Sequence, residues 1–504
     1  MCGIIVVIGN NAEEKVQTYI KKLTHRGSDS SKIVTYNNIS IGFTRLSIND
    51  TSSKADQPFE YSDYIGVFNA EIYNHSYLKD KYQLSCYSCS DTEVVLPLYD
   101  KFKENILPLL DGFYSSVIYD KKKQELIVLR DYIGKKPLFF AYDGENQYIC
   151  SELKVLSKIK YFELLPKGIS KIDGNKIVQV QEHYEKYLNK PSDKKMKEII
   201  EQAIFKRVVD IKDDKIGVFL SGGLDSSIVA TLLEKFFPNS DIQYYSLLDL
   251  NHPDYKYVKI MQKYLKLGDN SFSMINLPDE EEFLSILKKV IYHTESFNPS
   301  IVSNGICSYL LSKKAHENGI KVVLTGDGAD EMFMGYYDQE TLVNKDQYKV
   351  IHQNLLDDLS LTELRRVDLS CMANSIEVRC PFLDKNIYDV IHSFEYKDFF
   401  GDCEGSLNKN ILRRIFKNDL PKEISEREKV SLDVGSGIQK MMVDLAKEKS
   451  MSEKSYLKSI WNEFFQNSLS EVAREEYFYA YPAFDDDIPM RGEKYKNKSN
   501  YVGD

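Results

Sequence analysis

The sequence predicts an α/β protein of two domains, and three observations predict it. The length of 504 residues is enough for two to four domains. Residues 1–188 carry short strand patterns separated by turn signals, which indicates an α/β domain of mostly antiparallel character. Strands alternate with helices beyond residue 195, which predicts a doubly wound parallel sheet, with additional helices after about residue 340.

The first domain, 1–188, is expected to combine several strands with two helices. Strand patterns include 4–8, 39–43, 65–68, 115–119, 125–130 and 138–141, and the helical patterns are 12–23 and 92–102. The polar stretch 189–195 breaks the periodicity and is the predicted linker.

The second domain, 189–484, is expected to place helices between the strands of its sheet. The predicted strands are 216–220, 242–248 and 321–324, and the predicted helices are 196–210, one from Asp225, 255–266, 280–292 and 302–318. The tail, 485–504, is charged and lacks periodicity, so we expect it to be flexible.

Composition excludes several classes of protein. The net charge of −10 argues against general nucleic-acid binding, which requires basic stripes. No run of eighteen apolar residues occurs, so we expect no membrane span. The apolar run 4–8 has no basic leader and is interpreted as a strand rather than a signal peptide. Cys86 and Cys89 do not form a complete zinc motif. We expect a reduced protein of the cytoplasm.

Cys2 is the first residue of the chain that indicates a catalytic role. Met1 is removed when residue 2 is small, and the chain would then begin with Cys2. A thiol and a free α-amine would lie on one residue. An α-amine titrates near ~7.7–8.0 and can therefore act as the base for a neighbouring nucleophile.

Four further segments accompany Cys2, and together they resemble the glutamine amidotransferases whose N-terminal cysteine hydrolyses glutamine. The resemblance covers the first domain and implies an Ntn-type αββα sandwich. It extends to 130–138 and 151–154. The four segments are His25-Arg26-Gly27, Arg45-Leu46-Ser47-Ile48, Asn69-Ala70-Glu71-Ile72-Tyr73-Asn74 and Ser90-Asp91-Thr92-Glu93.

The chemistry of glutamine suggests roles for residues of three of these segments. The Arg45 fork suits the α-carboxylate, and Asp91 and Glu71 suit the α-ammonium. The Asn69 amide and the Ala70 N–H suit the tetrahedral oxyanion, where each donor contributes roughly 3–4 kcal/mol in comparable sites. The catalytic set is thus Cys2, Asn69 and Ala70, and the resemblance implies a glutamine-binding set of Arg45, Leu46, Ile48, Asn69, Glu71 and Asp91.

Two positions depart from this family's pattern. Ala70 stands where glycine is usual, and Ser28 stands where proline is usual. The loss of glycine matters only if position 70 needs a positive φ.

A second loop follows the buried-strand pattern 216–220 and reads Ser221-Gly222-Gly223-Leu224-Asp225-Ser226-Ser227. Its glycines let the backbone approach a phosphate, and its hydroxyls and helix-start N–H groups can bind the anion. Asp225 would hold Mg²⁺ on the pyrophosphate. The loop resembles the PP-loop of enzymes that split ATP into AMP and pyrophosphate.

Three more clusters follow in the second domain. Thr325-Gly326-Asp327-Gly328-Ala329-Asp330-Glu331 comes after strand 321–324, so we expect it to face the PP-loop at the ends of the parallel strands. The others are 375–384 and Arg427-Glu428-Lys429 with Gly435. With the first domain, these clusters resemble the glutamine-hydrolysing asparagine synthetases over nearly all of 1–480.

This resemblance implies adenylation of the aspartate β-carboxylate, release of pyrophosphate, and attack on the acyl-AMP by ammonia from the first site. Asp327 and Lys429 would assist catalysis, and Asp225 and Asp330 would bind Mg²⁺. The other implied sets are substrate contacts at Glu295, Ser300, Asp330 and Glu331 and ATP contacts at Phe219, Ser221, Gly222, Gly223, Leu224, Asp225, Ser226, Ser227, Leu248, Thr325 and Gly326. Glutamine, ATP and aspartate are the expected small-molecule partners, and a homodimer is the expected assembly.

Two departures concern the second site. Asp327 replaces the family's glutamate and places its carboxylate about 1 Å nearer the backbone. The family's Thr-x-x-Arg pattern reads Ser300-Ile301-Val302-Ser303 here, without the arginine associated with aspartate. Either another arginine, such as Arg365 or Arg379, supplies the cation, or the substrate is not aspartate.

Three other functions remain open on the sequence. One is an amidotransferase of this architecture acting on a different carboxylic acid in specialised metabolism. Another is a hydrolase or glutamine sensor with an inactive second domain, which the intact PP-loop and Asp330-Glu331 oppose. The last is an RNA-modifying PP-loop enzyme, which the acidic charge opposes.

Overall fold

The computed structural model describes residues 2–183, 188–211, 215–248, 253–336, 347–403, 405–428, 430–469 and 475–479. The predicted tail, 485–504, lies outside the described residues. No helix among the residues described is both long and apolar enough to cross a membrane.

The first domain contains two antiparallel sheets. Its strands are β1 (Gly3–Ile8), β2 (Ser30–Tyr36), β3 (Ile39–Arg45), β4 (Phe59–Tyr61), β5 (Tyr64–Ile72), β6 (Gly112–Asp120), β7 (Glu125–Arg130), β8 (Phe139–Tyr142), β9 (Gln147–Cys150), β10 (Tyr161–Leu164), β11 (Gly168–Asp173) and β12 (Lys176–Gln181). One six-stranded sheet has the order β10-β8-β9-β1-β3-β2, and the other has the order β12-β11-β7-β6-β5-β4.

Side chains alternate between the two faces of each strand, so one face of each sheet packs on the other sheet and the opposite face packs on helices. These helices are α1 (Ala12–Ile20), α2 (His75–Tyr82) and α3 (Val95–Phe102). Ile4 and Val6 of β1 pack between the sheets, whereas Ile5 and Val7 face the core that contains α1. On the second sheet, Phe68 of β5 faces outward and packs in the core that contains α3 residues. The predicted αββα sandwich is therefore present.

The second domain contains a five-stranded parallel sheet of strand order β15-β14-β13-β16-β17. Its strands are β13 (Lys215–Phe219), β14 (Asp241–Leu247), β15 (Phe272–Ile275), β16 (Val322–Leu324) and β17 (Glu377–Arg379). Strand order reverses beside β13, which has β14 on one side and β16 on the other. Loops that leave β13 and β16 therefore meet at the position where such sheets bind ligands.

Helices surround this sheet and continue beyond it. They are α4 (Asp193–Phe205), α5 (Leu224–Phe236), α6 (Tyr255–Tyr264), α7 (Glu280–Thr294), α8 (Pro299–Glu317), α9 (Ala329–Met332), α10 (Tyr348–Asp358), α11 (Glu363–Met372), α12 (Lys385–Ile391), α13 (Tyr396–Phe400), α14 (Asn410–Ile415), α15 (Lys422–Ser425), α16 (Leu432–Ser436), α17 (Ile438–Glu448), α18 (Glu453–Phe465) and α19 (Glu475–Tyr479).

Helix starts differ from the sequence prediction where capping residues decide them. Helix α8 begins three residues before the predicted 302, because the Asn298 side chain accepts hydrogen bonds from the N–H groups of Ser300 and Ile301, and Pro299 occupies the first turn. Helix α4 begins at Asp193 because Ser192 caps it through the N–H of Lys195.

The two domains share buried contacts. A loop after β7 enters the second domain, where the Tyr132 hydroxyl donates to the carbonyl of Leu383 and Lys135 Nζ donates to the carbonyl of Val378 at 2.7 Å. One continuous apolar core includes side chains from both domains, such as Ile5 and Val218.

Candidate active sites

The first site is built around Cys2, which precedes β1 and packs in the core between the sheets. The Cys2 nitrogen donates to Asn69 Oδ1 at 3.0 Å. This contact fixes the orientation of the amide, and Asn69 Nδ2 is then buried without a hydrogen-bond partner among the described residues. A buried NH₂ without a partner is costly, and an oxyanion beside it would satisfy it.

Ala70 supplies a second donor at the same place. In β5 it lies opposite Tyr114, whose own N–H donates to Asp131 Oδ2. Ala70 and Tyr114 are therefore a non-hydrogen-bonded pair, and the Ala70 N–H points away from β6. On that same edge the N–H groups of Phe68 and Ile72 donate to side chains of Gln57 and Asp91. Position 70 lies within a regular strand and needs no glycine.

The Cys2 thiol requires a base. Burial raises the pKa of this thiol, and a backbone hydrogen bond from Leu46 lowers it only in part. A thiol with a raised pKa is protonated at neutral pH, so the nucleophile must lose its proton to a neighbouring group.

The candidate glutamine-binding residues form two groups. Arg45 donates to the Ser52 carbonyl and to Asp56 Oδ1, both at 2.8 Å, and to the Asp50 carbonyl. It therefore anchors the loop that follows β3. Leu46 and Ile48 are buried at the start of that loop.

Asp91 and Glu71 are the acidic pair of this site. Asp91 Oδ2 accepts from the N–H of Ile72 at 2.8 Å, and Glu71 Oε1 pairs with Arg379 at 2.7 Å. Burial raises the pKa of both carboxyls, and Arg379 offsets this in part for Glu71. A cationic group that enters beside them would favour their charged forms.

The second site begins at the PP-loop, which connects β13 to α5. Gly223 N donates to Ser221 Oγ at 3.3 Å, and the hydroxyls of Ser221 and Ser226 lie 3.1 Å apart. Ser227 Oγ is buried without a partner among the described residues. Gly222 has φ +69°, and a Cβ there would lie 2.7 Å from the backbone of Tyr257 and Val258. Of the candidate adenosine contacts, Phe219 ends β13 and Leu248 directly follows the adjacent strand β14.

Gly222→Ala should therefore damage the PP-loop selectively. A methyl group meets backbone at 2.7 Å in a conformation that alanine rarely adopts. We expect pyrophosphate release to fall by about fivefold to 100-fold, because a loss of roughly 1–3 kcal/mol accompanies such strain. Gly268→Ala is the control, since this glycine lies in the same domain outside the loop and a Cβ there would meet nothing within 4 Å. Equal losses in both variants would contradict this account.

The loop after β16 packs directly on the PP-loop, as its position in the sheet predicts. A Cβ at Gly326 would lie 2.8 Å from Asp225 Cβ and 2.9 Å from Ser226 N. Thr325 is buried at the start of this loop. Asp327 Oδ1 accepts from Arg366 at 2.6 Å, so the shorter carboxylate is held by an arginine.

Asp225 and Asp330 meet at a lysine that the sequence did not single out. Lys409 Nζ lies 2.5 Å from Asp225 Oδ2 and 2.6 Å from Asp330 Oδ1, and its side chain is almost fully buried. Beside them, Glu331 accepts from the Tyr336 hydroxyl at 2.6 Å. Burial, together with the neighbouring charges of Glu363 and Asp330, raises the pKa of Glu331 to about 8.

The cluster around Arg427 also reaches the PP-loop. Arg427 pairs with Asp254, lies 4.0 Å from the centre of the Tyr257 ring, and donates to the Ser221 carbonyl at 3.4 Å. Lys429, the predicted catalytic lysine, lies outside the described residues.

Two candidate substrate residues are held by contacts away from the PP-loop. Glu295 Oε1 accepts from the N–H of Lys154 in the first domain at 2.7 Å. The Ser300 N–H donates to its own helix cap, Asn298. Ser303 is fully buried and donates to Asp433 Oδ2 at 2.6 Å.

Neither arginine suggested as a replacement cation is free. Arg365 donates to the carbonyls of Thr294, Glu295 and Tyr477. Arg379 bonds Glu377, Glu71 and the Arg207 carbonyl.

Comparisons with known proteins match both domains. Residues 1–194 match the model for a glutamine amidotransferase domain, and residues 195–358 and 341–481 match the model for asparagine synthase. Asparagine synthetase [glutamine-hydrolyzing] 2 of Lotus japonicus is 30% identical over 472 residues, which cover 87% of this chain and 78% of the relative. This chain belongs to the glutamine-hydrolysing asparagine synthetase family.

Other relatives extend the match. Putative asparagine synthetase [glutamine-hydrolyzing] 1 of Methanocaldococcus jannaschii is 30% identical, with 94% of this chain and 100% of the relative covered. Among solved structures, glutamine phosphoribosylpyrophosphate amidotransferase of B. subtilis is 19% identical, with a TM-score of 0.33 over 48% of this chain and 65% of the other. The family assignment does not depend on this weak structural likeness.

Proposed function

We propose that this chain makes asparagine from aspartate, ATP and glutamine, in two sites of one molecule. The observation that carries the proposal is the pairing of Cys2 with Asn69 in one domain and of a PP-loop with two carboxylates in the other. Family membership supports both halves.

In the first site, the Cys2 thiol attacks the glutamine side-chain amide. The α-amine of Cys2, free after removal of Met1, takes the thiol proton and returns one to the departing ammonia. Water then hydrolyses the glutamyl thioester left on Cys2, which releases glutamate and restores the thiol. Asn69 Nδ2 and the Ala70 N–H receive the oxyanion. Asp91 and Glu71 hold the α-ammonium of glutamine, and Arg45 binds its α-carboxylate.

In the second site, the PP-loop binds the pyrophosphate of ATP while the aspartate β-carboxylate attacks the α-phosphorus. The loop hydroxyls and helix-start N–H groups stabilise the departing pyrophosphate. Thr325, Phe219 and Leu248 would frame adenosine. Ammonia then displaces AMP from the acyl-AMP, and the amide forms.

The acidic residues of this site fit Mg²⁺. Asp225 Oδ1 is buried without a hydrogen-bond partner among the described residues, which suits a carboxylate that awaits a cation. Asp225 and Asp330 would hold the ion, whose charge would offset that of the pyrophosphate. Lys409 now neutralises the same two carboxylates. We also propose that the protein is a homodimer in the cytoplasm.

The departure from the family pattern at Ser303 raises a second candidate acceptor, a carboxylic acid other than aspartate. Ser303 replaces the family's arginine, and both Arg365 and Arg379 are engaged elsewhere. Pyrophosphate release should be measured with a panel of carboxylic acids, with glutamine or ammonia as the nitrogen source. Release that is fastest with aspartate supports the first function. Release with a different acid alone supports the second.

Ser303→Arg should harm an enzyme that uses aspartate. The position is fully buried and its hydroxyl satisfies Asp433, so a larger side chain must displace packed neighbours at a cost of typically 1–3 kcal/mol. We expect lower thermal stability and a higher KM for aspartate. Ser303→Ala is the control for loss of the hydrogen bond alone. Faster aspartate turnover in Ser303→Arg would contradict the prediction.

A further inference from the structure

Helix α11 presents charged side chains to both active sites. Arg366 and Asp368 are two residues apart, which places them about 200° apart around a helix of 3.6 residues per turn. They therefore project from nearly opposite sides of α11. Both side chains are buried, so each depends on the partner it meets.

On one side, Asp368 reaches the first domain. Asp368 Oδ2 lies 2.9 Å from a terminal nitrogen of Arg26, and neither side chain is exposed. Arg26 also donates through Nε to the Cys2 carbonyl at 3.0 Å and to Glu152 at 2.7 Å. A carboxylate of the second domain thus fixes the guanidinium that holds the nucleophile's backbone.

On the other side, Arg366 reaches the loop after β16. It donates to Asp327 Oδ1 at 2.6 Å and to Ser308 Oγ at 3.2 Å. Asp327 follows Gly326, which packs against the PP-loop. Ligands that change the contacts of this loop therefore act on Arg366 directly.

We propose that α11 couples the two sites, with Asp368 as a positioning residue for Cys2 and Arg366 as its contact with the ATP site. The coupling rests on the proposed function. When ATP and aspartate occupy the second site, Asp327 gains new partners and the force on Arg366 changes. Because α11 is a single helix with buried charges on both sides, the change shifts Asp368, Arg26 and the Cys2 carbonyl together.

Glutamine hydrolysis, measured with and without ATP and aspartate, tests this coupling. We expect at least threefold faster hydrolysis in their presence for the native enzyme. Asp368→Asn should lower kcat for glutamine about tenfold, leave KM nearly unchanged, and remove the dependence on ATP and aspartate. Arg366→Gln should remove the same dependence from the opposite side of the helix. Ammonia-supported pyrophosphate release by Asp368→Asn should stay within about twofold of native.

Asp111→Asn is the matched control, because the Asp111 carboxylate pairs with Lys206 across the same domain boundary at 2.6 Å, whereas its bonds to Tyr73 and Asn74 of the first-site segment are made by its backbone, which the substitution keeps. It should keep the response to ATP and aspartate. The coupling is wrong if native hydrolysis ignores these substrates, if Asp368→Asn keeps the response, or if Asp111→Asn loses it equally. If Asp368→Asn fails to fold, the response of glutamine hydrolysis to ATP and aspartate in Arg366→Gln tests the coupling alone. Failure of the proposed function would instead show as absent pyrophosphate release by the native enzyme with ammonia.

Discussion

Cys2→Ala should abolish glutamine-dependent synthesis while synthesis from free ammonia continues. Cys2 is the thiol whose own nitrogen contacts Asn69, and the oxyanion donors converge beside it. Removing a nucleophile costs several orders of magnitude in comparable enzymes, so we expect at least a 10³-fold loss, roughly, of glutamine hydrolysis. The measurement is glutamate formation, with pyrophosphate release from ammonia recorded on the same preparation.

Cys150→Ala is the control for this prediction, since Cys150 is also a fully buried thiol of the first sheet. Burial holds the pKa of the Cys150 thiol well above its ordinary value, and Cys150 carries no α-amine of its own to take the thiol proton, so we expect it to be unreactive. Substantial glutamine-dependent activity in Cys2→Ala would refute the role given to Cys2.

Asp225→Asn should stop pyrophosphate release and spare glutamine hydrolysis. The substitution keeps the shape of the side chain but removes a charge that Lys409 contacts at 2.5 Å. It also removes the carboxylate oxygen proposed for Mg²⁺. A charge that acts directly on the transferred groups is worth roughly 10²–10³ in rate, which is the loss we expect.

Asp193→Asn provides the matched control. Asp193 pairs with Arg414 at the protein surface, where an ion pair contributes about 0–1 kcal/mol. Pyrophosphate release should be normal in that variant. Normal ATP cleavage by Asp225→Asn would rule out the role of this loop in binding the pyrophosphate.

The sequence was informative where local patterns coincide with chemistry. The strand into Ser221-Gly222-Gly223 is recognisable because a buried run, two glycines and hydroxyls follow one another within a few residues. Strand β12 escaped prediction because most of it is exposed, and β15 and β17 escaped because they have only four and three residues. Helix 12–23 was predicted too long: α1 ends at Ile20, and Lys21–Arg26 forms a 3₁₀ turn.

Residues that act through distant contacts could not be found in this way. Lys409 meets Asp225 across 184 positions, and Arg26 meets Asp368 across 342. Nothing near Lys409 in the chain distinguishes it from other lysines. Asp327 was recognised as unusual, but its partner Arg366 follows only from the packing of α11 against the loop.

The loop that carries Tyr132 and Lys135 has a consequence for how the polypeptide holds together. Tyr132 is almost fully buried, and its hydroxyl and the Lys135 ammonium are satisfied by carbonyls some 250 positions away. A fragment that ended after β12 would expose these groups to water along with part of its apolar core. Two pieces expressed separately and divided after β12 should therefore copurify, and we expect neither piece to be a module that could be transplanted alone.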